Sequence, residues 1–139
     1  MRYNQFRYIY PCRPSNAIPQ NDINYWDNTN NMLSQLKMNG SNTVLFTNGD
    51  ILRVMGRHNQ LLSNFQLSKE EIIENIYKPL NLNGNWLVLN GEYLNKSRRD
   101  ENGLLFNHKL ILFDILVYNS DYLISRTFEE RVDILDSIY

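Results

Sequence analysis

The stretch NTVLFTNGDILRVMG, residues 42–56, decides the fold. Two runs rich in β-branched and aromatic residues flank Asn48-Gly49-Asp50, a pattern that predicts a tight antiparallel hairpin. Downstream, SKEEIIENIYK predicts a short helix: Ser68 as N-cap, Glu71 three residues on to close a capping box, and Ile72, Ile73, Ile76 and Tyr77 on one face. NWLVLNGEYLNKS and HKLILFDILVYN read as two further apolar strands, bridged by the charged loop RRDENGLLFN. TFEERVDILDSI closes the chain as a helix capped by Thr127, with Phe128, Val132, Ile134, Leu135 and Ile138 roughly amphipathic. Upstream, NYWDNTNNMLSQLKM passes from polar to alternating residues. Pro11, Pro14 and Pro19 mark residues 1–22 as an extended lead-in, because each proline removes a backbone donor and restricts its predecessor. Strands joined by hairpins with occasional helices, rather than regular βαβ units, predict an α+β class with mostly antiparallel sheets.

The chain has 139 residues, the size of one domain, with 42% hydrophobic and 21% charged residues. That is a globular composition, without an apolar run of bilayer length or a secretory leader at Met1, and it predicts a soluble, cytoplasmic protein. A formal charge of -1 argues against a strongly basic nucleic-acid scavenger, though not against a local basic groove. Cys12 is the single cysteine, fits a reducing compartment and is assigned no chemistry.

The chemistry-bearing residues fall at or beside predicted strand ends. Lys37 lies in SQLKMNGSN (residues 34–42), Arg57 in VMGRHNQ, Glu92 in VLNGEYLN, and Asp114 follows Phe113 in LILFDILVY. Each alone reads as a strand terminus turning to solvent, and the lysine stretch also as an ordinary hairpin. No G-x-G-x-x-G or G-x-x-x-x-G-K occurs, so a nucleotide would need some other device. His58 reads as a loop hydrogen-bonder, KSRRDENG (residues 96–103) as a solvated hairpin tip with a lesser reading as a nucleic-acid contact, and Arg131 as part of a helix's charged face.

Taken in order, K-x-N-G-S-N, an Arg twenty positions after the lysine, G-E and L-F-D-I-L resemble the covalent nucleotidyltransferases, namely ATP-dependent DNA and RNA ligases and mRNA capping enzymes. The resemblance covers about residues 35–131. Ordinary DNA ligases carry Arg five residues after the lysine, where this chain has Asn42; that favours the RNA-ligase-like branch, typified by phage RNA ligases, and leaves DNA open. The resemblance implies a partial nucleotidyltransferase domain, of the ATP-grasp-like ligase adenylation type, over residues 1–139. It implies ATP with Mg²⁺ or Mn²⁺, and nicked or broken RNA or DNA as partner.

By the same resemblance, Lys37 is the nucleophile that takes AMP from ATP before it passes to a 5′-phosphate end and is displaced by a 3′-hydroxyl. An amine attacks only when unprotonated, whereas free lysine has a pKa of about 10.4; flanking Leu36 and Met38 are expected to bury it partly. Arg57 is implied to contact ribose or α-phosphate, Glu92 the ribose hydroxyls, and Phe113 to stack on adenine. Gln35 is implied to read the adenine edge, Gly40 to let the backbone approach the nucleotide, and Asn42 to bind phosphate or metal-bound water. Asn39 fills the motif's third position. No protein metal ligand is assigned.

The family continues into an E-G motif with a metal-binding Glu and then a K-x-K motif, and neither follows Phe113 here. The chain is therefore expected to be the amino-terminal part of a longer ligase. The alternatives are a catalytically silent nucleotide- or nucleic-acid-binding module and, behind it, a structural domain in which the motifs coincide by chance.

Overall fold

The computed structural model describes residues 18–29, 35–99 and 102–139. The expected lead-in lies outside the described residues up to residue 17. Pro19 then precedes a 3₁₀ turn, Gln20–Asp22, which runs into helix α1, Ile23–Asn28. This helix stands where the sequence reads as polar and then alternating; Thr29 ends it, its hydroxyl donating to the Trp26 carbonyl at 2.7 Å.

The hairpin predicted at residues 42–56 forms as β1 (Ser41–Thr47) and β2 (Leu52–Met55), paired antiparallel from Val44↔Met55 to Thr47↔Leu52. In its turn Asn48 Oδ1 accepts from the Ile51 amide at 2.9 Å. Gly49 takes φ +90°, and a Cβ there would meet the Tyr77 ring at 2.7 Å, so both backbone and packing require glycine. The remaining strands are β3 (Leu87–Leu94), the short β4 (Arg98–Arg99) and β5 (Leu105–Phe106), β6 (Lys109–Tyr118) and β7 (Asp121–Tyr122). The main sheet runs β2-β1-β3-β6-β7, with every pair antiparallel. Bulges at Val88/Leu89 and Asn90/Gly91 interrupt the β3–β6 ladder, where they add twist to the sheet.

Burial on both sides makes these strands read as apolar runs. On one face Leu87, Leu89 and Ile115 pack with Ile73, Tyr77, Leu82, Leu123 and Leu135. On the other, Val44, Phe46, Val88, Leu116 and Val117 cluster with Met55, Trp86 and Tyr122. Each fully buried aliphatic side chain contributes about 1.5–3 kcal/mol.

Helix α2 (Lys69–Ile72) starts on the predicted capping box: Ser68 Oγ accepts from Glu71 N at 3.1 Å and Glu71 Oε2 from Ser68 N at 2.8 Å. It then widens into a π turn, Ile73–Tyr77, that buries Ile73 and Tyr77. Helix α3 (Phe128–Ile138) has the matching box between Thr127 and Glu130. Its Arg131 is not on a solvated face as the sequence suggested. It is 5% exposed and donates to both carboxylate oxygens of Asp114, at 2.8 and 3.0 Å. Asp114 is equally buried, so the pair fastens α3 to the middle of β6. Among the described residues no helix is long and apolar enough to cross a membrane.

Candidate functional site

The segment 35–40 leads along the edge of the sheet into β1, and the β1–β3 register sets what surrounds it. Asn42 lies opposite Glu92, and Val44 opposite Asn90. Alternation therefore puts Asn42, Val44 and Phe46 on the same face as Val88, Asn90 and Glu92. One end of that face is the second apolar cluster. The other is a polar cleft of about 500 Å³, lined by Lys37, Met38, Gly40, Ser41, Asn42, Arg57, His58, Gln60, Leu62 and Glu92.

Glu92 fixes the lysine segment to the sheet: its Oε1 accepts from the Gly40 amide at 2.8 Å. Gly40 permits the approach, because a Cβ would stand 2.4 Å from the Tyr93 carbonyl oxygen and 2.8 Å from Leu94 Cδ2. What this glycine admits is strand β3. The Lys37 ammonium donates to Asn39 Oδ1 at 2.6 Å. Lys37 is exposed and Leu36 is 78% exposed. The flanking residues thus leave the amine in solvent, contrary to the expected partial burial, because the segment follows the rim and not the interior.

Arg57 comes from the turn after β2. The Gly56 amide donates to the Gln60 carbonyl at 2.7 Å, and His58 N to Gln60 Oε1 at 3.1 Å, so Gln60 closes the turn from both ends. Arg57 Nε donates to His58 Nε2 at 3.3 Å.

Asn42 has a determined orientation. Asn90 Oδ1 accepts from the Gly91 amide at 3.1 Å and is therefore the oxygen of its amide. Asn42 must accordingly present Nδ2 to it, at 3.2 Å. Asn42 Oδ1 is then buried and without a hydrogen-bond partner. A carbonyl oxygen accepts only, so this atom suits a hydroxyl, an amine or a metal-bound water and not a bare phosphate oxygen. Among the described residues no group of three or more His, Cys, Asp and Glu is arranged to hold a metal ion.

The structure thus gathers Lys37, Gly40, Asn42, Arg57 and Glu92 around one cleft, with Asn39 holding the lysine head. Gln35 and Phe113 stand apart from the lining. Gln35 Nε2 donates to the Phe113 carbonyl at 3.4 Å, and Phe113 is half-buried on β6. Sequence reasoning missed His58 and Gln60 as cleft residues and Asn90 as the group that aims Asn42. Adjacency to Arg57 was the only signal for His58, and Asn90 becomes visible only once the register is known.

No family model matches the chain, and no curated protein matches it. Among solved structures it is similar to the ligase domain of LigD from M. tuberculosis, with a TM-score of 0.52 and 14% identity over 73% of this chain and 35% of that one. The likeness is one of fold, an antiparallel curled sheet with few helices, and the chain spans about a third of that neighbour's length.

Proposed function

We propose that the chain carries the nucleophile-bearing part of an ATP-dependent polynucleotide ligase, acting in the cytoplasm, with ATP in the cleft and Lys37 as the residue that takes AMP. The observation that carries this reading is the convergence of Lys37, Arg57 and Glu92 on one cleft at the polar end of a sheet with a ligase-domain fold. Lys37 Nζ, its ammonium proton already given to solvent, bonds to the α-phosphorus as the bond from that phosphorus to the bridging oxygen breaks; pyrophosphate leaves, and the surplus proton on the phosphoramidate nitrogen passes to water. A neutral amine has two hydrogens and a lone pair, so it can keep one N–H on Asn39 Oδ1 while the lone pair faces phosphorus. Arg57 sets a guanidinium against the phosphate charge. Glu92 uses one oxygen on Gly40, and its other oxygen serves a ribose hydroxyl. A divalent ion bound with ATP supplies charge neutralisation. AMP then passes to a 5′-phosphate, and a 3′-hydroxyl displaces it to seal the strand. Asn42 in place of the DNA-ligase arginine favours RNA ends.

A second reading, nucleotide binding without transfer, has one observation in its favour: Lys37 is exposed and its neighbours do not desolvate it. Intact mass after incubation with ATP and Mg²⁺ or Mn²⁺ separates the two. The ligase reading expects a gain of one AMP, reversed by pyrophosphate and lost in a folded Lys37→Ala chain. A folded wild type that binds ATP and gains no mass leaves the silent module; an adduct that persists in Lys37→Ala sinks the assignment of the nucleophile.

A further inference from the structure

We propose, resting on the ligase reading above, that the cationic stem joining β3 to β6 is the track on which polynucleotide phosphates lie, and that its root holds the 5′-phosphate end. A second cleft, of about 200 Å³, is lined by Asn39, Gly40, Ser41, Leu94, Asn95 and Lys96. It shares Gly40 and Ser41 with the nucleotide cleft. Asn39 belongs to its wall and also accepts from the Lys37 ammonium, so a group in the second cleft sits one side chain away from the nucleophile. Among the described residues Lys96 is the one charged side chain in the lining, and none of them brings a carboxylate. Amides, a hydroxyl and an ammonium form a donor-rich pocket roomy enough for a phosphate group.

The stem continues the same charge outward. Beyond Lys96 the chain enters β4, Arg98–Arg99, paired with β5, and returns through Lys109, the register partner of Leu94. Lys96, Arg99 and Lys109 are exposed, and none of them has an ion-pair partner among the described residues. The sequence between the two strands adds Asp100 and Glu101, which leaves the segment 96–109 with an excess of positive charge in a chain of net charge -1. Its base is held in place. Tyr93 Oη accepts from Gln66 N at 3.0 Å and is hydrogen-bonded to His108 Nδ1 at 2.7 Å, tying the loop before α2, strand β3 and the return of the stem together. Exposed cations on a stem that leads to a donor-lined cleft beside Lys37 suit the charges of a nucleic-acid backbone.

The test is anisotropy of a labelled nicked duplex, in RNA and DNA forms, carrying either a 5′-phosphate or a 5′-hydroxyl at the nick. We expect Lys96→Glu to weaken binding of the 5′-phosphate duplex at least tenfold and of the 5′-hydroxyl duplex less than threefold. The combined Lys96→Glu, Arg99→Glu and Lys109→Glu chain should flatten the plot of log K against log salt by about 3, from the counterions no longer released. Lys96→Gln, with a smaller loss in the same order, covers failure of the charge reversal to fold. Unchanged affinity and slope in the triple variant would overturn the proposal. So would displacement of the duplex by inorganic phosphate alone at low millimolar concentration, which would make the cleft a site for free phosphate. AMP transfer to Lys37, followed in the same variants, separates the two readings. Normal AMP transfer with duplex binding unmoved in the triple variant defeats the track; charge-sensitive duplex binding in a chain that takes no AMP defeats the nucleophile assignment alone.

Discussion

Replacing Gly40 by Ala tests the geometry of the site at its tightest point. The added methyl would lie 2.4 Å from the Tyr93 carbonyl oxygen, against about 3.4 Å for ordinary contact, so the lysine segment must withdraw by up to about 1 Å. The obstacle is backbone, the Tyr93 carbonyl at the end of the β1–β3 ladder and still paired to β6, and it cannot rotate away. Withdrawal stretches the 2.8 Å bond from the Gly40 amide to Glu92. A hydrogen bond to a charged group is worth about 1.5–3 kcal/mol, and its partial exposure here reduces that to about 1 kcal/mol. Overpacking adds about 1 kcal/mol more. The melting temperature should fall by roughly 4–8 °C for a chain of this size. The larger effect is on chemistry: a reacting atom displaced by about 1 Å loses on the order of 100-fold in rate. Single-turnover labelling of Lys37 with AMP, at saturating ATP, reads that loss. Glu92→Gln keeps the Gly40 contact without the charge and should cost much less in stability. A Gly40→Ala chain with wild-type melting and labelling rate would refute the argument that the approach to β3 aims the lysine.

The Asp114–Arg131 pair should behave as a buried unit: Arg131→Met alone costs about 3–5 kcal/mol in urea unfolding, whereas Asp114→Leu with Arg131→Met recovers most of it. Asn42→Ala leaves Asn90 its bond from Gly91, so stability should change by less than about 1 kcal/mol while AMP labelling drops at least tenfold; equal loss of both would make Asn42 structural. Bonding to Ser68 holds the Glu71 carboxyl below its usual range, and the Thr127 amide does the same for Glu130. Folded values below unfolded ones mean that both caps stabilise above about pH 4.3 and lose that contribution as pH falls through the depressed folded values. Glu71→Gln with Glu130→Gln should therefore flatten the acid limb of the stability-pH curve, followed by circular dichroism.

What the sequence discloses here is local. Asn48-Gly49-Asp50 announces its hairpin and Ser68 with Glu71 its helix start, because each feature depends on residues within four positions of one another. The K-x-N-G-S-N stretch likewise points to a cleft edge, because the lysine, the glycine and the strand that follows are contiguous. Long-range pairing is a different matter. Arg131 lies 17 residues from Asp114, and a helix with charges on its surface has the same pattern whether or not one of them is buried. The aim of Asn42 depends on Asn90, brought near by the β1–β3 register, and the exposure of Lys37 depends on which side of the rim its segment runs. Helix α1 escaped notice because its six residues are too few for an apolar period to show.

The π turn at Ile73–Tyr77 has the form of an α-helix with one residue too many. Each residue of a regular α-helix advances the phase by about 100°, and a π turn advances it less, so forcing the same residues into a regular helix would swing everything beyond them by roughly one such step. Tyr77 would leave the groove where its hydroxyl receives the Gly84 amide and donates to the Asn85 carbonyl, and the turn leading into β3 would lose its peg. The wide turn is what aims Tyr77. A regular helix over the same residues would misplace the strand that carries Glu92.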